Sequence, residues 1–161
     1  MKAVQINKYG GPEVLEINLN AVEPIIKPCQ VLVEVYASSI NPFDNIVLAG
    51  YVAKMMPLKF PATMGGDFSG VVKKVAEDVL DFKIGDEVYG QAIAFIGGSG
   101  SFAQLLVSNT KNIALKPKNI NFIEAASLPL VGSATIQALE EVIKLSANQK
   151  ILIHGGAGGI G

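Results

Sequence analysis

The chain has 161 residues, half of them hydrophobic and 17% charged, with a formal net charge of -1. That balance supports a sizeable core, excludes a disordered chain and, with no basic footprint, argues against a nucleic-acid partner. No apolar run approaches the roughly 18 residues of a membrane span, the segment from Met1 to Lys8 has no signal-peptide core, and the single cysteine, Cys29, rules out an internal disulfide. The expectation is a cytoplasmic chain with no membrane partner.

Residues 1 to about 118 read as short strands separated by turns. Lys2 to Ile6 is strand-like and Gly10-Gly11-Pro12 turns the chain. Leu15, Ile17 and Leu19 alternate with Glu16 and Asn18, the period of a half-buried strand. Val31, Val33 and Val35 share one face of the next strand. Asp67 to Val75 reads as another strand, with Gly70 as a bulge or point of close approach. Glu87 to Tyr89, Phe102 to Val107 and Ile113 to Lys116 complete a series that predicts a small barrel or sandwich.

The character changes near residue 120. Asn121 with Glu124 is an N-cap pattern opening a helix over Phe122 to Ser127, which must end near Pro129. Ser133 is expected to cap a second helix, with Ile136, Leu139 and Ile143 on one face. Ile151-Leu152-Ile153-His154 then reads as a short buried strand. Gly156, Gly158 and Gly161 follow at G-x-G-x-x-G spacing, which allows a tight turn and close approach of backbone to a pyrophosphate. Helix, strand and glycine turn open a doubly wound α/β unit, so the predicted division is 1–120, mainly β, and 121–161, the start of a Rossmann domain.

Between two strands lies Ser38-Ser39-Ile40-Asn41-Pro42-Phe43-Asp44. Asn41 is a natural helix N-cap, Pro42 suits the first helical position, and Asp44 favours the positive helix end. A functional role for Asn41 is compatible with capping. Tyr51 and Lys54 are further polar candidates in the same loop.

In this order the motifs YGGPEVLEI, QVLVEVYASSINPFD, GGDFSGVVKKV, FKIGDEVYG, SFAQLLV, EAASLPLVGSATIQAL and HGGAGGIG resemble the N-terminal half of a medium-chain dehydrogenase/reductase, in its zinc-free quinone oxidoreductase branch. The resemblance implies a GroES-like β-barrel catalytic domain followed by a Rossmann domain, with the cofactor between them. It implies NADPH as cofactor, with NADH not excluded, a small quinone or enone as substrate, and a homodimer at full length. Zinc-dependent relatives have a cysteine where this chain has Asn41 and a His-Glu pair where it has Gly66-Asp67. A catalytic zinc needs three N, S or O protein ligands, and the chain's one cysteine and one histidine, Cys29 and His154, lie outside these loops. No zinc is therefore expected. Cys29 reads as an inert loop thiol and His154 as packed at a strand end.

Without a Lewis acid, an acceptor that spreads incoming charge by resonance is the easier substrate, with hydrogen-bond donors at its oxygen. The implied reaction is hydride transfer from nicotinamide to a quinone or α,β-unsaturated carbonyl. By resemblance, Asn41, Asp44 and Tyr51 form the catalytic set. Asn41, Ser133, Thr135 and the turn Gly156, Ala157, Gly158, Gly159, Ile160 and Gly161 would hold the cofactor. Two departures stand out. Many members carry a tyrosine or lysine where this chain has Asn45-Ile46-Val47, and their G-x-T-A motif becomes Gly132-Ser133-Ala134-Thr135. The alternative is a non-catalytic binding or structural member of the same fold. Because the sequence stops at Gly161, before the helix the motif opens, these residues alone are expected to bind dinucleotide weakly or not at all.

Overall fold

The computed structural model describes all residues, 1–161. Eight strands form two antiparallel sheets. One has three strands, in the order β2 (Glu16–Asn18), β1 (Ala3–Ile6), β4 (Ala62–Thr63). The other has five, in the order β7 (Leu105–Asn109), β3 (Gln30–Ser38), β5 (Asp67–Val75), β6 (Glu87–Gln91), β8 (Ile113–Leu115). The expected barrel is thus two sheets whose strands do not close into one ring. A mainly β architecture with few helices is what the chain adopts.

β3 and β5 are buried on both faces over their first four residues, Gln30 to Val33 and Asp67 to Gly70, and become more exposed further along. Val31, Val33, Phe68, Val72, Val88 and Leu106 form the main core, all fully buried. Gly70 sits where it was expected to matter. It pairs with Val35 at a shift in register, and a Cβ there would lie 2.0 Å from the Glu34 carbonyl oxygen, so only glycine lets the two strands approach. The N-terminal strand differs from expectation: β2 forms, yet Leu15, Ile17 and Leu19 are exposed, because no layer covers that edge of the three-stranded sheet.

Three α-helices accompany the sheets, one between β3 and β4 and two after β8. α1 (Pro42–Leu48) starts at Asn41 with Pro42 in its first turn, as read from the sequence. α2 (Phe122–Ala126) carries the expected capping box, the Glu124 N–H donating to Asn121 Oδ1 at 2.9 Å and the Asn121 N–H to Glu124 Oε2 at 2.8 Å. The turn before α2 is held by Lys116. Its ammonium is nearly buried, donates to the carbonyls of Pro117 at 3.1 Å and Ile120 at 2.7 Å, and pairs with Glu87 at 3.1 Å. It also lies over the Phe122 ring.

α3 (Pro129–Ile136) begins earlier than expected. Ser133 lies within it and caps nothing, because Pro129 already fits the first turn and the Asp67 carboxylate accepts the Leu130 N–H. A π-helical stretch, Gln137–Val142, continues it. The predicted strand Ile151 to His154 does not form. Its residues are exposed, and no strand lies beside them to take their backbone hydrogen bonds. His154 is accordingly exposed in a turn and not packed at a strand end.

Candidate functional site

The antiparallel pairing of β3 with β5 sets Ser38 opposite Phe68, so the end of one strand meets the start of the other. That register carries the loop Ser39 to Asn41 to the side of Asp67. Asp67 is 1% exposed, and its carboxylate gathers four donors. Oδ2 accepts Asn41 Nδ2 at 3.0 Å, the Leu130 N–H at 3.1 Å and Ser39 Oγ at 3.4 Å. Oδ1 accepts Gln91 Nε2 at 3.2 Å. One side chain thus ties together the loop after β3, the end of β6 and the first turn of α3.

Burial pushes the Asp67 carboxyl above the ordinary aspartate range, while the four donors oppose that shift. Asp44 is raised too, first by burial and then by the negative charge of Asp67, against the Asn41 N–H that its Oδ2 accepts at 2.7 Å. Asn41 and Asp44 stand in the capping-box arrangement with both halves present: Asp44 Oδ2 accepts the Asn41 N–H at 2.7 Å, while the Asn41 carboxamide oxygen faces the Asp44 N–H without a hydrogen bond of full geometry.

A narrow cleft opens beside α1, lined by Phe43, Asp44, Leu58, Met64, Ile93 and Phe95. The Phe43 and Phe95 rings meet edge to face, with centroids 6.1 Å apart. Gly66 lies against Ile93, with Asp44 Oδ1 4.0 Å from where its Cβ would be. The cleft is small, about 10 Å³, and mainly apolar, with the half-buried Asp44 carboxyl in its wall.

The structure brings Asn41 and Asp44 together and leaves Tyr51 apart: Tyr51 is exposed in the turns after α1, with no side-chain hydrogen bond. Ser133 is exposed on α3. Thr135 reaches the glycine turn, its hydroxyl lying 2.8 Å from the Val131 carbonyl oxygen and 3.3 Å from that of Ile160. Gly159 packs on Val131 closely enough that a Cβ would come within 3.2 Å, and Gly155 takes φ +73° with open space around it. Gly156, Ala157, Gly158 and Gly161 lie in the same exposed turn. These residues fit a dinucleotide in kind: backbone free of Cβ atoms for phosphates, hydroxyls and a carboxamide for the rest. Zinc has no such fit. Asn41 is an amide, Gly66 has no side chain, and both oxygens of Asp67 are already engaged. Cys29 is exposed, its N–H and thiol bonded to Asp78, whose hydrogen bond and charge push that thiol up.

Sequence reasoning placed Asp67 only as the counterpart of a zinc relative's glutamate and missed Ser39 and Gln91. The available signal was an aspartate set directly after Met64-Gly65-Gly66 and before the apolar and small residues Phe68 to Val72.

Residues 27–118 match the family model described as Alcohol dehydrogenase GroES-like domain. The chain belongs to that family. With it comes membership of the medium-chain dehydrogenase/reductase superfamily. The chain is 42% identical over 166 residues to an NADPH-dependent alkenal/one oxidoreductase, chloroplastic, of Arabidopsis thaliana, covering 100% of this chain and 42% of the relative. Among solved structures it resembles the quinone oxidoreductase of Coxiella burnetii, with TM-score 0.80 and 34% identity over 89% of this chain and 45% of that one. An alcohol dehydrogenase superfamily protein of Novosphingobium aromaticivorans gives TM-score 0.87 and 33% identity, covering 99% of this chain and 47% of that one. The GroES-like chain thus spans less than half the length of these relatives.

Proposed function

We propose that this GroES-like chain serves an NAD(P)H-dependent, zinc-independent reduction of quinones or α,β-unsaturated carbonyls. Residues 1–120 would be its catalytic unit and 121–161 the opening of its nucleotide-binding unit, with turnover belonging to a protein of the relatives' length. The observation that carries the reading is the donor set around Asp67. Where zinc relatives hold metal ligands, this chain has a carboxamide, a bare glycine and a carboxylate saturated by four donors. The names of the similar proteins, a quinone oxidoreductase and an NADPH-dependent alkenal/one oxidoreductase, support the substrate class and the cofactor. A homodimer and a cytoplasmic location complete the proposal. No helix is long and apolar enough to cross a membrane.

When bound, a reduced nicotinamide supplies the hydride. The chain's own residues then have three tasks. Phe43, Met64, Ile93 and Phe95 would supply an apolar wall against which a conjugated substrate lies, the cleft between them, about 10 Å³, being too small to enclose one. Asp44, in the cleft wall and raised by burial, would hold or pass a proton. Asn41 and Thr135 position the dinucleotide from opposite ends. Tyr51 would join the catalytic set only if its loop turned inward.

The test is oxidation of NADPH with 1,4-benzoquinone or trans-2-hexenal by a protein of the relatives' length that carries these residues, before and after treatment with EDTA. Turnover that survives chelation is expected. Turnover lost on chelation and restored by zinc would overturn metal independence. Absence of turnover with either acceptor would favour a binding or structural role.

A further inference from the structure

The Asn41 carboxamide has two hydrogen-bonding ends, and the fold spends only one of them. Its Nδ2 donates to Asp67 Oδ2 at 3.0 Å and lies 3.4 Å from Ser39 Oγ, which takes up both amide protons on the buried side. Its Oδ1 faces the Asp44 N–H in the capping box without a hydrogen bond of full geometry, and so keeps acceptor capacity free. No buried side-chain oxygen in the chain lacks a partner, so this oxygen belongs to the 9% of Asn41 that is open to the surroundings. Turning the amide over would set Oδ1 against a carboxylate oxygen at the same 3.0 Å, with both amide protons facing outward. Two acceptors at that distance repel, so the orientation is imposed by Asp67.

We propose that Asp67 is a positioning residue that fixes the polarity of Asn41, so that Asn41 meets its ligand as a hydrogen-bond acceptor. Resting on the function proposed above, this assigns Asn41 to an N–H or O–H of the dinucleotide, a carboxamide or a sugar hydroxyl. It removes Asn41 from the groups that can donate to the substrate oxygen as that oxygen gains charge. Because the same Oδ2 accepts the Leu130 N–H, the Asn41 orientation and the first turn of α3 are set by one atom. The specificity-determining consequence is that a ligand presenting an acceptor to Asn41 meets an oxygen and is rejected.

Side-chain amide exchange reads this polarity without any ligand. In the 15N-labelled chain the Asn41 Nδ2 protons should exchange about tenfold or more slowly than those of exposed Asn45, whose amide has no partner. Asp67→Asn, which trades a charged acceptor for a neutral one, should speed Asn41 exchange severalfold, and Asp67→Glu should recover part of the protection. Equal exchange at Asn41 and Asn45 in the unsubstituted chain overturns the proposal even if both variants misfold. NADPH added to the active protein should shift the Asn41 side-chain carbonyl carbon and leave the Nδ2 protons in place, whereas the reverse pattern overturns the polarity. A separate resonance pair for the 3-acetylpyridine analogue, which lacks the carboxamide N–H, distinguishes the two donors: an unchanged carbonyl shift assigns the sugar hydroxyl and a lost one the carboxamide. If NADPH moves neither end, the nicotinamide reading of this site fails, while the ligand-free exchange still decides the role of Asp67.

Discussion

Two tripeptides of nearly the same composition have opposite fates in this chain. Val31-Leu32-Val33 lies at 0, 5 and 0% exposure, and Ile151-Leu152-Ile153 at 46, 80 and 55%. The first is laddered on both sides, to Val75, Lys74 and Val72 of β5 and to Ser108, Val107 and Leu106 of β7. The second has no neighbouring strand. Both have the β-branched, apolar character that reads as a buried strand, so the character is only a request for partners. What makes a strand is a second strand whose carbonyls and amides meet its own.

The comparison can be broken most directly by truncating the two leucines. Leu32→Ala should cost about 2–5 kcal/mol in urea unfolding, the range for a leucine removed from a packed core. Leu152→Ala should stay within about 0.5 kcal/mol, as a surface substitution does. Equal costs would mean that the segment after residue 150 is packed in solution as tightly as β3.

Glycines sharpen the same contrast at a smaller scale. Gly70→Ala places a methyl 2.0 Å from the Glu34 carbonyl oxygen, inside the β3–β5 ladder. It should cost about 1–3 kcal/mol, because two backbones must part to admit it. Gly132 lies in α3 with nothing within 4 Å of a Cβ. Gly132→Ala should therefore be neutral or stabilise by up to about 1 kcal/mol through helix propensity. Thermal unfolding of the two variants side by side checks both, and a destabilised Gly132→Ala would show that α3 is covered by something more.

What was legible in the sequence follows the same division. The alternation in Val31 to Val35, the glycine at position 70 and the two N-caps at Asn41 and Asn121 are local signals, and each is where it was expected. The start of α3 was not legible from Ser133, because its cap is a side chain 63 positions away, Asp67 reaching Leu130. Exposure of Leu15, Ile17 and Leu19 was hidden for a related reason: alternation tells which residues share a face and not whether another layer covers it. At the site, Asn41 and Asp44 were readable as neighbours on one helix start. Their coupling through Asp67 depends on the β3–β5 register and on Ser39 and Gln91, which no spacing along the chain announces.

The smallest expected effect concerns protons. Asp67 is pulled upward by burial and downward by its donors, and burial prevails, so the folded chain keeps this proton to a higher pH than the unfolded chain does. A group of that kind contributes most stability below its ordinary value, 3.8, and loses the contribution as pH rises through its own raised value. Asp44 has the same sign, whereas the exposed carboxylates Glu13 and Asp78 are lowered by backbone N–H groups and have the opposite one. Overall stability against pH therefore mixes contributions of both signs. The difference between the unsubstituted chain and Asp67→Asn isolates one of them: the variant should gain on the unsubstituted chain as pH rises from about 4. Denaturant midpoints of the two proteins across the acid range measure that difference. A variant that loses ground with rising pH would mean that the donors from Asn41, Ser39, Gln91 and Leu130 outweigh burial. Asp67 would then be an ordinary paired carboxylate whose charge stabilises the fold.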